Sequence, residues 1–119
     1  MSIRYSEVFP ILAKSITGVE ADDEDRKEPT PYFFLADMVR FVCHRNASGS
    51  TLEAVELGEL FERLLMEGDA DVGDLVLDGL ETLRDEGRCG DNIAQYFGTK
   101  TMALWNRVSM NSQARAKKS

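Results

Sequence analysis

The sequence holds one histidine and two cysteines. Those side chains cannot supply the four ligands that a structural zinc takes. The opening residues, Met1-Ser2-Ile3-Arg4-Tyr5-Ser6-Glu7, lack the basic-then-apolar layout of a secretory signal. With only one cysteine pair, the expectation is reduced thiols and a cytoplasmic location. Bases are scarce: 14 Lys and Arg stand against 21 Asp and Glu, a net charge of −7. That balance excludes nucleic acid and an anionic membrane surface as partners of the chain as a whole. No apolar run approaches the ~20 residues that span a bilayer. No glycine-rich phosphate loop follows a strand, and no serine nucleophile elbow is present. Strand alternation never persists beyond a few residues, which leaves helix.

What is there is an ordinary globular balance, 43% hydrophobic and 29% charged in 119 residues, enough for one domain. Helical periodicity marks about five segments. The first runs over roughly 3–16, with Tyr5, Val8, Phe9, Leu12 and Ile16 as its stripe, a kink or short first turn before Pro10, and Gly18 as a stop. An acidic, solvated loop follows over 19–29. The second segment takes Thr30 as N-cap and Pro31 as its first residue and runs to about Arg45. It is apolar on most sides, from Tyr32, Phe33, Phe34 and Leu35 through Met38, Val39, Phe41, Val42 and Cys43, and is expected at the centre of the bundle. The third starts at a capping box of Ser50 and Glu53, with Thr51 as the alternative cap, and ends at Gly68. Asp69 caps the fourth, which buries Val72, Leu75, Val76, Leu80 and Leu83. Gly79 lies on that same stripe, where its helix-propensity cost of about 1 kcal/mol points to close approach of a neighbour. The short link between the third and fourth segments implies an antiparallel hairpin. Gly87, Cys89 and Gly90 break the pattern. A last helix takes Thr99 as N-cap and runs to about Met110, burying Met102, Leu104 or Trp105, and Val108. The fold class expected is all-α: a bundle of about five helices built on antiparallel hairpins. It forms a single domain over 1–110 with a basic, polar tail over 111–119.

Charge is distributed unevenly. Residues 50–87 carry twelve acids against Arg63 and Arg84, whereas residues 99–119 carry no acid and five bases. Glutamates of this kind keep a small domain soluble. An uncompensated acidic hairpin also suits a basic partner, which it would steer at low salt. Glu56, Glu59, Glu62, Asp71, Asp74 and Asp78 are the candidate partner-binding residues.

Catalytic constellations are weakly represented. Asp69-Ala70-Asp71-Val72-Gly73-Asp74 fails the calcium-loop pattern, with Gly73 at the fifth position and Leu80 at the twelfth. A capped helix start explains its acids better. Cys43 and His44 are adjacent on a helix and point about 100° apart, so Cys43 reads as a core thiol and His44 as a helix-end cation. Cys89 lies in a loop with no base in evidence. Carboxylate pairs such as Asp78 with Glu81 or Asp85 lack any sign of the desolvation that acid–base work needs. The chain therefore reads as a non-enzyme with no cofactor and no metal. Trp105 with Arg107 is either an exposed anchor or a residue closing the end of the bundle.

The run Leu60-Phe61-Glu62-Arg63-Leu64-Leu65-Met66-Glu67-Gly68-Asp69-Ala70-Asp71-Val72, then Gly79-Leu80-Glu81-Thr82-Leu83, Gly98-Thr99-Lys100 and Trp105, together with the helix from Pro31 to Arg45, resembles a family of small bacterial helical domains of unknown function that are likened to immunity proteins of polymorphic toxin systems. The resemblance implies stoichiometric binding and blocking of a toxin, a basic protein here, without catalysis. It carries no site residues over. The start Gly68-Asp69-Ala70-Asp71-Val72 is also similar to helical-repeat hairpins of the HEAT type, which implies the alternative: a scaffold or homodimer that associates through the apolar surface of the last helix.

Overall fold

A computed structural model of the chain describes residues 2–118, and the side chains of residues 2–110. Pro31 fixes the first φ of a 17-residue helix and gives up an N–H that has no partner in a first turn. From it α3 runs over Pro31–Ala47. Thr30 holds the N-cap position, but its side chain makes no capping bond. Phe34, Leu35, Met38, Val39 and Val42 are buried along it. Around this helix pack α1 (Val8–Ser15), α4 (Leu52–Glu67), α5 (Ala70–Asp85) and α6 (Arg88–Ala94). A short α2 (Asp23–Lys27) precedes it, and α7 (Thr99–Lys118) lies against α4 and α5. Among the described residues there are thus seven α-helices and no named strand. The all-helical class holds, while the helix count departs from the five expected. The basic tail expected over 111–119 lies outside the residues whose side chains are described.

The two additional helices have local causes. Within the stretch read as an acidic loop, Asp22 accepts from the Asp25 N–H at 2.7 Å and Asp25 accepts from the Asp22 N–H at 3.1 Å. This reciprocal box starts one and a half turns of helix with no buried residue. At the other break, Gly87 takes φ +71°, a left-handed conformation that lets the chain restart at once as α6. Seven residues are too few to show a period, so α6 is silent in the sequence. The kink before Pro10 is a 3-10 turn over Tyr5–Glu7. Ile3 then forms an isolated parallel bridge to Gly68: its N–H donates to the Glu67 carbonyl, and the Asp69 N–H donates back to Ile3 at 2.9 Å. The N-terminal segment is thereby tied to the Gly68–Asp69 link between α4 and α5.

The expected capping box of Ser50 and Glu53 forms differently. Thr51 is the N-cap residue and offers no side-chain bond. Ser50 instead gives its hydroxyl to the Glu53 carboxylate, which also meets Arg45 Nε at 3.3 Å. Glu53 is only 4% exposed. The Ser50 hydroxyl, Glu53's own backbone N–H and Arg45 hold its carboxyl below the ordinary range against the burial that raises it.

The cysteines correct the sequence-based expectation most plainly. Cys43 on α3 and Cys89 on α6 are joined in a disulfide, with their Cα atoms 5.6 Å apart. Cys43 is not the reduced core thiol expected and Cys89 sits on a helix rather than in the loop expected; both are half-buried. With a sequence separation of 46, a chain-entropy treatment of the unfolded state gives this crosslink about 4 kcal/mol. The pairing is invisible in the spacing because it depends on α6, which brings Cys89 back to α3.

Core packing is one cluster reaching from Ile3 to Val108. It includes Trp105, which is buried rather than an exposed anchor and meets Phe97 edge-on at 5.9 Å. Glycines set the closest approaches. A Cβ on Gly58 would lie 2.5 Å from the Tyr96 carbonyl oxygen, whereas one on Gly73 would meet nothing within 4 Å. Gly58→Ala is expected to destabilise the protein by about 1–3 kcal/mol, because backbone must move. Gly73→Ala should stabilise it by about 0.5–1 kcal/mol through helix propensity alone. Urea unfolding of the two variants checks this pair of opposite signs.

Candidate interaction surface

The six acids singled out in the sequence divide into two sets. Glu56 is half-buried and accepts from the Thr17 N–H at 3.0 Å and from the Thr17 hydroxyl at 2.9 Å, holding the end of α1 to α4. Glu62 does the same for α7. Its carboxylate takes the Lys100 N–H at 3.2 Å, the Thr101 N–H at 2.9 Å and the Thr101 hydroxyl at 2.8 Å. The first-turn N–H groups of a helix have no partner within it, and here a neighbouring helix supplies the cap that Thr99 was expected to provide. Burial pushes the Glu62 carboxyl up, but the bonds from Thr101 and Lys100 prevail and its pKa lies below the ordinary value. These two glutamates act inside the fold.

Glu59, Asp71, Asp74 and Asp78 stay exposed. Asp71, Asp74 and Asp78 follow one another at three and four residues on α5, so they share one stripe. That stripe lies opposite the buried Val72, Leu75, Val76, Leu80 and Leu83. Among the described residues none of the three has a salt-bridge partner, while Asp37, Glu53, Glu67, Asp85 and Glu86 do. Asp69, just before them, caps α5 by accepting from the Val72 N–H at 2.9 Å, and its other oxygen accepts from the Tyr5 N–H at 3.2 Å.

Two exposed aromatic residues of α3 escaped the sequence, and one of them, Tyr32, lies near this stripe. Tyr32 is 38% exposed and Phe33 74% exposed, against the expectation that this stretch of α3 is buried. The reason is geometric. Residues 32–35 sweep about 300° around the helix axis, and the neighbours of α3 cover only the side of Phe34 and Leu35. The Tyr32 ring lies 6.2 Å from Tyr5. Burial raises the Tyr32 phenol first, and then the proximity of Tyr5, Asp74, Asp78 and Asp71 raises it further. Tyr32 thus stands within the field of the aspartate stripe. The signal available in the sequence was the four-residue aromatic and apolar run itself, too wide for one buried face.

Among the described residues, no group of three or more His, Cys, Asp or Glu side chains is placed to hold a metal ion, and no helix is long and apolar enough to cross a membrane. Comparison with protein families, with curated proteins and with solved structures gives no match.

The Glu62 cap generates a pH prediction. A carboxylate whose folded pKa is depressed stabilises the fold above its unfolded pKa, about 4.3, and loses that contribution as pH falls through the folded pKa. Glu62→Ala should cost about 1–2 kcal/mol at neutral pH, and the gap to the parent protein should shrink as the medium is acidified. Thermal melts of both proteins across the carboxylate range check it.

Proposed function

We propose that this chain is a non-catalytic helical binding protein, immunity-like in mode, that holds a basic protein partner on the acidic face of α5. The observation that carries the reading is the stripe of Asp71, Asp74 and Asp78, exposed and without a salt-bridge partner among the described residues. Such a stripe raises the rate at which a basic surface arrives and loses that effect in salt. Glu59 on α4 extends the acidic surface. Glu56 and Glu62 are taken up by hydrogen bonds within the chain, so the partner-binding role assigned to the six narrows to the other four. An antiparallel arrangement of α4 and α5 belongs to the same proposal. The alternative, self-association through the last helix, has less behind it. Of its expected apolar stripe, Trp105 and Val108 are buried in the core, and Met102 and Leu104 are only partly exposed.

The cytoplasm is proposed as the compartment on the sequence reading of the cysteines as thiols. The bond between Cys43 and Cys89 counts against it, because disulfides persist mainly where the surroundings oxidise.

Two experiments test these readings. The tagged protein, incubated at low salt with lysate of its source, should retain a basic protein that a salt step releases. The triple variant Asp71→Lys, Asp74→Lys, Asp78→Lys should bind that protein at least about tenfold more slowly with its circular dichroism unchanged; unaltered association sinks the acidic-face reading. Thiol alkylation in intact cells before lysis decides the compartment. Two modified cysteines mean a reducing one, and none means that the bond exists in the cell.

A further inference from the structure

Beside the aspartate stripe lies a groove that charge alone does not explain. Tyr5, Phe9, Pro10, Pro29 and Pro31 wall an open space of about 530 Å3, completed by Ser6 and Arg26. That volume falls within the roughly 300–1,000 Å3 of ordinary ligand sites. Rings and prolines dominate its lining, and such side chains lose little conformational freedom when covered. Phe9 is held from below by Phe34, edge-on at 5.0 Å, so the floor is part of the core. Tyr5 borders both features. It lines the groove, its ring faces Tyr32 at 6.2 Å, and its N–H is bound by Asp69 at the start of α5.

We infer that groove and stripe together receive one extended segment of the basic partner, with an apolar side chain or proline seated among Phe9, Pro10, Pro29 and Pro31 and a Lys or Arg a few residues away over Tyr32 and the aspartates. This rests on the proposed acidic-face function and names the chemistry of what it binds. Three grounds support the choice of occupant. A surface walled by aromatic rings and prolines is the kind that receives extended, proline-containing segments. The border residue Tyr32 offers a ring face to a cation, and carboxylates around it strengthen that attraction. Arg26, the cation lining the groove, disfavours a second base in the groove itself and so directs the basic end to the stripe.

The test uses the full chain at low salt and three fluorescein-labelled, end-blocked hexapeptides, followed by anisotropy. They are Arg-Arg-Pro-Leu-Pro-Phe, Arg-Arg-Gly-Ser-Gly-Ser and Glu-Glu-Pro-Leu-Pro-Phe. The first should bind at least about tenfold more tightly than either of the others. Replacing Asp71, Asp74 and Asp78 by Asn should reduce it to the level of the third. Ser6→Trp, at an exposed position where the indole fills the groove, should reduce it to the level of the second. Pro29→Gly, which opens the wall, should weaken it in the same direction. Equal binding of the first and second peptides overturns the groove while leaving the acidic-face function standing. Equal binding of the first and third removes the stripe from the site, and so overturns the joint seat and the acidic-face function together. Absence of binding by all three overturns the inference, and the lysate partner of the preceding section then reports on the function separately.

Discussion

The close approach of α5 to α3 is the constraint on which the rest of the molecule turns. Gly79 carries no side chain where the helices meet, and a Cβ there would stand 2.8 Å from Leu35 Cδ2 and 3.3 Å from Phe61. With α5 seated so deeply, Val72, Leu75, Val76, Leu80 and Leu83 all reach the core. Their burial, worth roughly 1.5–3 kcal/mol for each side chain, fixes the rotation of α5 about its axis. That rotation leaves Asp71, Asp74 and Asp78 facing water. It also sets Asp69 where it can bind both its own helix and the N–H of Tyr5. The acidic stripe and the Asp69 tie to Tyr5 thus follow from how α5 is seated at this glycine contact.

Carboxylates do two different jobs in this chain, and burial separates them. Glu53, Glu56 and Glu62 lie against neighbouring elements and accept hydrogen bonds that otherwise unpaired donors need. Glu62 is the clearest instance, since it caps the start of α7 from across a helix–helix contact 38 residues away in sequence. Asp22, Asp25 and Asp69 close helix starts locally. Within residues 50–87, what remains for the outside is smaller than the formal charge suggests, and Asp71, Asp74 and Asp78 on α5 are a large part of it. A large net charge on residues 50–87 therefore overstates the surface offered to a partner, because part of it is spent on caps.

Several features were legible from residue order. The fourth helix, its Asp69 cap and its buried stripe follow from periodicity, because a single apolar face repeats over four turns. Pro31 at a helix start, the short turn before Pro10 and the tight packing at Gly79 were readable from the special backbone demands of proline and glycine. Of the candidate surface, Asp71, Asp74 and Asp78 were legible as exposed acids, since they alternate with the buried positions of that helix. Glu56 and Glu62 were not separable from them. Their hydrogen-bond partners, Thr17 and Thr101, sit 39 residues away in each direction, and nothing local marks such a pairing. Tyr32 and Phe33 were misplaced because hydrophobicity says that a residue can be buried, not that a neighbour exists to bury it.

By itself, then, the order of residues determined the helical class, the caps and stripes of the longer helices and the position of the acidic excess. Each of these depends on interactions within a turn or two of chain, where spacing and chemistry suffice. Only the tertiary structure decided the bond between Cys43 and Cys89, the capping of α7 by Glu62 and the meeting of Tyr5, Tyr32 and the prolines in one groove. These bring together elements far apart in sequence, and their geometry comes from how closely whole helices pack, which no local pattern encodes.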